Sequence, residues 1–247
     1  GTEITNTRRE VVPLPEKFFC DGPYYLITSS SIGGLSPEEL AAKVSGSEVE
    51  EVIKNAVGIP IAFQGDCAMD NAIVVMGDLS AQEEAEWIGR ISWKLDIPCG
   101  KLLLICGGGD SESIEGAVSG KGLGGFKDYF QQIELTPGKY LTEVYAYLPS
   151  VTGNFFLESD SPMAEWQSWF KQDRKGEELP EWLQEFDEYS VPGELEELVS
   201  YIIRVTPLTK EPTKLPDLDE DIGWCTFEMR KPKQCPSGIL RSALLSQ

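Results

Sequence analysis

Apolar and polar positions alternate most clearly over residues 140–148. Leu141, Glu143, Tyr145 and Tyr147 fall on one side, and Thr142, Val144, Ala146 and Leu148 on the other. A period of two is the pleat of a strand. A second run, 130–135, precedes it across Thr136-Pro137-Gly138-Lys139. Proline presets φ and glycine accepts positive φ, so the two runs read as a hairpin. Upstream, Leu102-Leu103-Leu104-Ile105-Cys106 is an apolar run of strand length that ends in Gly107-Gly108-Gly109. The pattern centres the chain on a strand from Lys101, a glycine-rich loop and that hairpin.

Further strand patterns occupy 24–28, 59–63, 72–76, 198–205 and, more briefly, 224–229. Three helix starts share a serine followed three residues later by a glutamate: Ser36 with Glu39, Ser47 with Glu50, and Ser80 with Glu83. Each serine oxygen can accept from a free backbone N–H while the glutamate reaches back to the cap. Pro37 suits the first helical position, and Gly46 and Gly58 suit the ends of the first two helices. After Ser80, the residues Ala85, Ile88, Ile91 and Leu95 recur at helical spacing beside Trp87. This predicts a helix over 81–94 with Glu83, Glu84 and Glu86 on its surface. Segments 162–171, with Trp166, Trp169 and Phe170, and 180–188, with Trp182, Leu183 and Phe186, read as short amphipathic helices. Residues 1–23, with Pro13, Pro15 and Pro23 around Phe18-Phe19, read as an extended lead-in, and 110–125 as loop.

The order strand, strand, helix, strand occurs over 59–106 and again over 129–206. The expected fold is therefore α+β, with a mixed, mainly antiparallel sheet and about five helices. It forms one compact domain over 1–247; two ββαβ-like halves, about 10–125 and 126–247, are a second reading of the same pattern.

Composition narrows the function. No apolar run approaches the ~18–20 residues that span a bilayer. No basic segment followed by an apolar one opens the chain as a signal peptide would, and Gly1 in place of Met suggests a trimmed start. The formal charge of −20 disfavours nucleic acid and anionic membrane, and suits either a basic partner or a well-solvated surface. The six cysteines, Cys20, Cys67, Cys99, Cys106, Cys225 and Cys235, form no Cys-x-x-Cys pair. Zinc-ribbon and thioredoxin chemistry thus lack support. Cys20 follows Phe18-Phe19 and Cys106 ends its run, as small buried hydrophobes do, so the set reads as mostly free thiols of a reducing, cytoplasmic compartment. There is no histidine. That removes Ser-His-Asp and Cys-His machinery and the usual zinc sites, leaving carboxylates, Lys, Tyr or Cys for any catalysis.

Four constellations carry candidate chemistry. The glycine-rich segment 107–125 follows a strand, where a phosphate loop would sit. However, Gly116 stands one residue too close to Gly120-Lys121, and Gly122 replaces the hydroxyl residue. Asp217, Asp219, Asp221 and Glu228 have the spacing of calcium-loop ligands, but Ile222 takes the place where the turn needs glycine. Residues 158–197 hold 13 acidic against three basic residues, a net of −10, on a segment whose aromatic residues keep helical spacing. Asp66, Cys67, Asp70, Cys99 and Asp110 lie near turns, with no spacing that pairs a nucleophile with a base. No catalytic, cofactor or metal residue is assigned. The chain reads as an acidic, non-catalytic protein-interaction or accessory module whose basic partner docks at 158–197. The alternatives are a histidine-independent carboxylate or thiol enzyme acting on a small molecule, and a calcium-binding module.

Overall fold

The computed structural model describes residues 9–14, 18, 21–69 and 72–247. In chain order the strands and helices are β1 (Glu10–Pro13), β2 (Gly22–Ser29), α1 (Pro37–Val44), α2 (Val49–Lys54), β3 (Gly58–Cys67), β4 (Ile73–Met76), α3 (Ala81–Glu86), β5 (Gly89–Ile97) and β6 (Lys101–Cys106). They continue with α4 (Ser111–Ser119), β7 (Phe130–Glu134), β8 (Gly138–Ala146), α5 (Val151–Leu157), α6 (Pro162–Asp173) and α7 (Glu181–Gln184). The last are β9 (Tyr201–Pro207), β10 (Asp217–Leu218), β11 (Cys225–Thr226), β12 (Glu228–Met229) and α8 (Arg241–Leu245). The class is α+β, but the strands form two six-stranded sheets instead of one, and the described residues hold eight α-helices instead of about five.

The first sheet runs β1-β4-β9-β8-β5-β12 and the second β10-β11-β3-β2-β6-β7. Each is antiparallel except for one pair, β4 with β9 and β11 with β3. The sheets face one another across a shared core. Phe63 of β3 meets Tyr201 of β9 edge-on at 5.3 Å, and Phe227 packs against both. Ile73, Val75, Tyr145 and Ile202 cover the other face of the first sheet, together with Trp87 and, from the C-terminal segment, Ile239 and Leu244. The two sides of β8 expected from the pattern are thus real, and both are buried: Val144 and Ala146 enter the shared core, and Tyr145 the outer one.

Several expectations change. Runs 130–135 and 140–148 are strands but not a hairpin: β7 pairs with β6 in one sheet, and β8 with β5 and β9 in the other. The Pro137-Gly138 corner carries the chain across the sandwich, a role with the same local turn chemistry as a hairpin. The helix after Ser80 forms with its capping box, Glu83 N–H donating to Ser80 Oγ and Ser80 N–H to Glu83 Oε1, both at 3.1 Å. It ends at Glu86, and 89–97 is a strand with strictly alternating burial. Ile91 and Leu95 are four apart, a spacing that satisfies both periods; Trp93 on the same side settles it as strand, and β8 supplies a nine-residue ladder. Glu83 and Glu86 are not on the surface but only 2% and 4% exposed. Arg9 grips Glu83 through two bonds of 2.8 and 2.6 Å, and Glu86 accepts from Gly238 N–H and the Ser237 hydroxyl.

Ser36 caps α1 as expected, whereas α2 starts at Val49 with no side-chain cap. Gly58 opens β3 and closes no helix. Within the expected lead-in, 10–13 is a strand paired with β4; Pro15, Phe19 and Cys20 lie outside the described residues. The expected loop 110–125 contains α4, capped by Asp110.

Candidate functional site

The sequence candidates scatter. Asp110 accepts from the Ser113 N–H at the head of α4, which places a carboxylate at the helix start that the glycine-rich segment would offer to a phosphate. In the proposed calcium loop, one Asp219 oxygen accepts from the Asp221 and Ile222 N–H groups, closing the turn between β10 and β11. Glu228 sits on β12 and pairs with Arg90 at 3.2 Å. Among the described residues no three Asp, Glu or Cys side chains cluster as metal ligands would. Cys67, Cys99, Cys225 and Cys235 carry thiols, but Cys106 is disulfide-bonded, against the expectation for it. Asp70 and Cys20 lie outside the described residues.

Burial pushes the Cys225 and Cys235 thiols up to about 12. Cys99 is the exposed exception. Its partial burial would raise its pKa, but hydrogen bonds from the Ser30 hydroxyl, at 3.0 Å, and from Ser31 and the Lys101 backbone outweigh this. They lower it to about 7.

The acidic block divides in two. Its aromatic residues form a core: Trp166 is fully buried, donates to the Pro236 carbonyl and packs on Trp182 at 4.6 Å. Several carboxylates around it hold local structure. Asp173 accepts from Cys235 N–H and Trp169 Nε1, Glu177 pairs with Arg174, and Asp187 accepts from Tyr189 N–H. Glu194 and Glu196 differ: they are exposed and line a cleft of about 630 Å³ at one end of the sandwich.

This cleft forms where β3 ends, β8 runs into α5, and β9 begins. Ser150 caps α5, accepting from Gly153 N–H at 2.9 Å while its hydroxyl donates to the Tyr147 carbonyl at 2.5 Å. That places Asn154 in the wall. Asp66 comes from the end of β3 and Asp21 from the approach to β2. Glu194 belongs to a single 3-10 turn, Pro192–Glu194, ahead of β9. Ser200 immediately precedes β9 and Tyr201 opens it. Arg241, the first residue of α8, is held alongside by its own N–H, which donates to the Glu197 carbonyl, and by the Val199 N–H bond to the Ile239 carbonyl.

Behind the wall, Thr152 donates to Gln64 Oε1 and bonds to the Tyr201 hydroxyl, both at 3.0 Å. Burial holds the Tyr201 phenol well above its ordinary pKa, so it stays neutral. Three residues of the wall each hold a side-chain polar atom that is shielded from water and has no hydrogen-bond partner among the described residues: Asn154 Oδ1, Ser200 Oγ and Arg241 Nε. Ser200 is 6% exposed. Four carboxylates, Asp21, Asp66, Glu194 and Glu196, line the same cleft as the cation Arg241, and among the described residues no ion pair joins any of them to it. The arrangement can recognise and hold a charged ligand; among the described residues neither Ser150, whose hydroxyl donates to Tyr147, nor Ser200 is hydrogen-bonded to a carboxylate of the cleft. Asp66 and the acidic block were legible as candidates, but Asn154, Ser200 and Arg241 are single residues of common type with no motif around them.

No family model matches the chain, and no curated protein matches it in sequence. Two solved structures are similar in part. "Crocagin biosynthetic gene J" aligns with a TM-score of 0.43 at 10% identity, over 81% of this chain and 99% of its own. ComJ from Bacillus subtilis, described as an inhibitor of the DNA-degrading activity of NucA, aligns with a TM-score of 0.32 at 6% identity, over 81% and 96%. Neither likeness is close enough to bear on the chemistry of this chain.

Proposed function

We propose that the chain is a non-catalytic interaction module that takes a basic segment of a partner protein into the cleft beside α5 and β9. The observation that carries this reading is the meeting of four carboxylates with three unsatisfied polar atoms in one cleft. Buried polar groups are almost always hydrogen-bonded, so three together mark a surface completed by something else. The local excess of negative charge, on a chain of net charge −20, sets the sign of that partner. It also opposes nucleic acid, whose phosphates would meet Asp21, Asp66, Glu194 and Glu196. The docking surface is thereby narrower than the whole segment 158–197, since Asp173, Glu177 and Asp187 are engaged within the fold.

Binding of this kind is steered by charge. The Debye length falls from ~10 Å at 0.1 M salt to ~3 Å at 1 M, so association with a basic partner should slow markedly over that range. Glu194→Lys with Glu196→Lys should weaken binding and leave folding intact, because exposed substitutions usually change stability by no more than about 0.5 kcal/mol. A basic partner captured from the native host, with affinity measured across salt for both proteins, tests this. Affinity indifferent to salt and to the charge reversal would remove the reading.

A further inference from the structure

We propose that the cleft receives the C-terminus of that partner, with its terminal carboxylate on Arg241 and Ser200. This rests on the docking reading above and adds which end of a basic segment enters. Among the described residues, five polar side-chain atoms are shielded from water without a partner, and three of the five belong to residues that line this cleft. Their chemistry is specific. Arg241 Nε–H can only donate, the Ser200 hydroxyl can donate, and Asn154 Oδ1 can only accept. A terminal peptide residue carries the matching set: two carboxylate oxygens for Arg241 and Ser200, and one amide N–H for Asn154. A guanidinium takes a carboxylate side-on through Nε and a terminal nitrogen, with two parallel bonds.

Charge points the same way. A purely cationic ligand would leave Arg241 uncompensated, and a purely anionic one would meet the carboxylates of Asp66, Glu194 and Glu196. A basic tail with a free carboxylate answers both, its lysines facing the rim and its terminus the floor. Capture of a chain terminus by such a pocket is a known mode of peptide recognition, and about 630 Å³ is within the size range of ligand pockets. Gly193, on the exposed rim, keeps the mouth open: a Cβ there would lie 3.2 Å from Asn154 Nδ2 and 3.3 Å from the Ser150 backbone carbon.

The test uses a fluorescein-labelled eight-residue peptide with lysine at alternate positions, made both as the free acid and as the C-terminal amide. Binding to the full chain is read by fluorescence polarisation at low salt. The free acid should bind about tenfold or more tightly than the amide, as expected when one partner of a desolvated charge pair is removed. Arg241→Met and Ser200→Ala should bring that ratio towards one. Glu194→Lys with Glu196→Lys should weaken both peptides alike. If Arg241→Met does not fold, Gly193→Leu, whose side chain starts at the exposed rim 3.2 Å from Asn154 Nδ2, should block the free acid instead. A wild-type ratio near one, with both peptides still weakened by charge reversal, overturns the terminal reading and leaves the docking reading standing. Two peptides that fail to bind at any salt overturn both. Displacement of the free acid by free lysine as effectively as by unlabelled peptide also overturns the partner-terminus assignment, because the site would then belong to a small zwitterion.

Discussion

Replacing Gly153 with alanine sets two physical effects against each other. Gly153 lies inside α5, and in a helix interior alanine is favoured over glycine by about 1 kcal/mol. Propensity alone therefore makes the variant more stable. The tertiary structure reverses the sign. A Cβ on Gly153 would fall 1.9 Å from the Leu148 carbonyl oxygen, 2.5 Å from its carbon and 2.7 Å from its Cα. These are backbone atoms two residues past the end of β8, and no rotamer change relieves the overlap. The turn between β8 and α5 must open, and the same turn holds the Ser150 cap. Overpacking typically costs about 1–3 kcal/mol. A lost cap adds about 0.5–2 kcal/mol. Less the propensity gain, the net loss is about 0.5–4 kcal/mol. In a chain of this length that lowers Tm by roughly 2–4 °C per kcal/mol. Urea denaturation followed by tryptophan fluorescence measures it, since Trp166 and Trp93 are buried. An unchanged or raised midpoint with the same slope would refute the close approach, and with it the position of Asn154 in the cleft wall.

Other consequences are more local. Ser80→Ala should lose about 0.5–2 kcal/mol with the α3 cap, and an unchanged denaturation midpoint would mean that the helix starts elsewhere. Glu143→Ala strands Arg204, which pairs with Glu143 at 2.7 Å. The loss should be about 3 kcal/mol, the low end for breaking a buried pair, because Arg204 keeps Asp78 and the Gly77 carbonyl. Cys99, with a pKa of about 7, should be half thiolate near neutrality, and its alkylation by iodoacetamide should rise through pH 7 and level off above it. Ser30→Ala should shift that rise to higher pH, while Cys225 and Cys235 stay unreactive in the native protein; peptide mass spectrometry separates the three. Terbium at micromolar concentration should give no calcium-competed emission through Trp224, since the Asp219 carboxylate is already engaged by two N–H groups.

By itself, the sequence determined local matters. The serine–glutamate boxes at Ser36 and Ser80 are short-range chemistry and form as written. The strand at Lys101, the two faces of β8 and the buried aromatic residues of α6 follow from periodicity and burial. Pairing was decided elsewhere. A Pro-Gly corner has the same backbone angles whether it closes a hairpin or carries the chain between sheets, so only the partner strands β6, β5 and β9 distinguish the two. Ile91 and Leu95 fit either period, and a nine-residue ladder with β8 outweighs a helix that has one cap and no second face to bury. Arguments from spacing have no counterpart in the cleft: Asp21, Asp66, Asn154, Ser200 and Arg241 come from five separate parts of the chain. Of these only Asp66 stood out in the sequence, as a carboxylate near a turn, because what makes the others notable is a missing hydrogen-bond partner or an uncompensated charge. Those are properties of the assembled tertiary structure, and they come into being only when β3, α5, β9 and α8 meet.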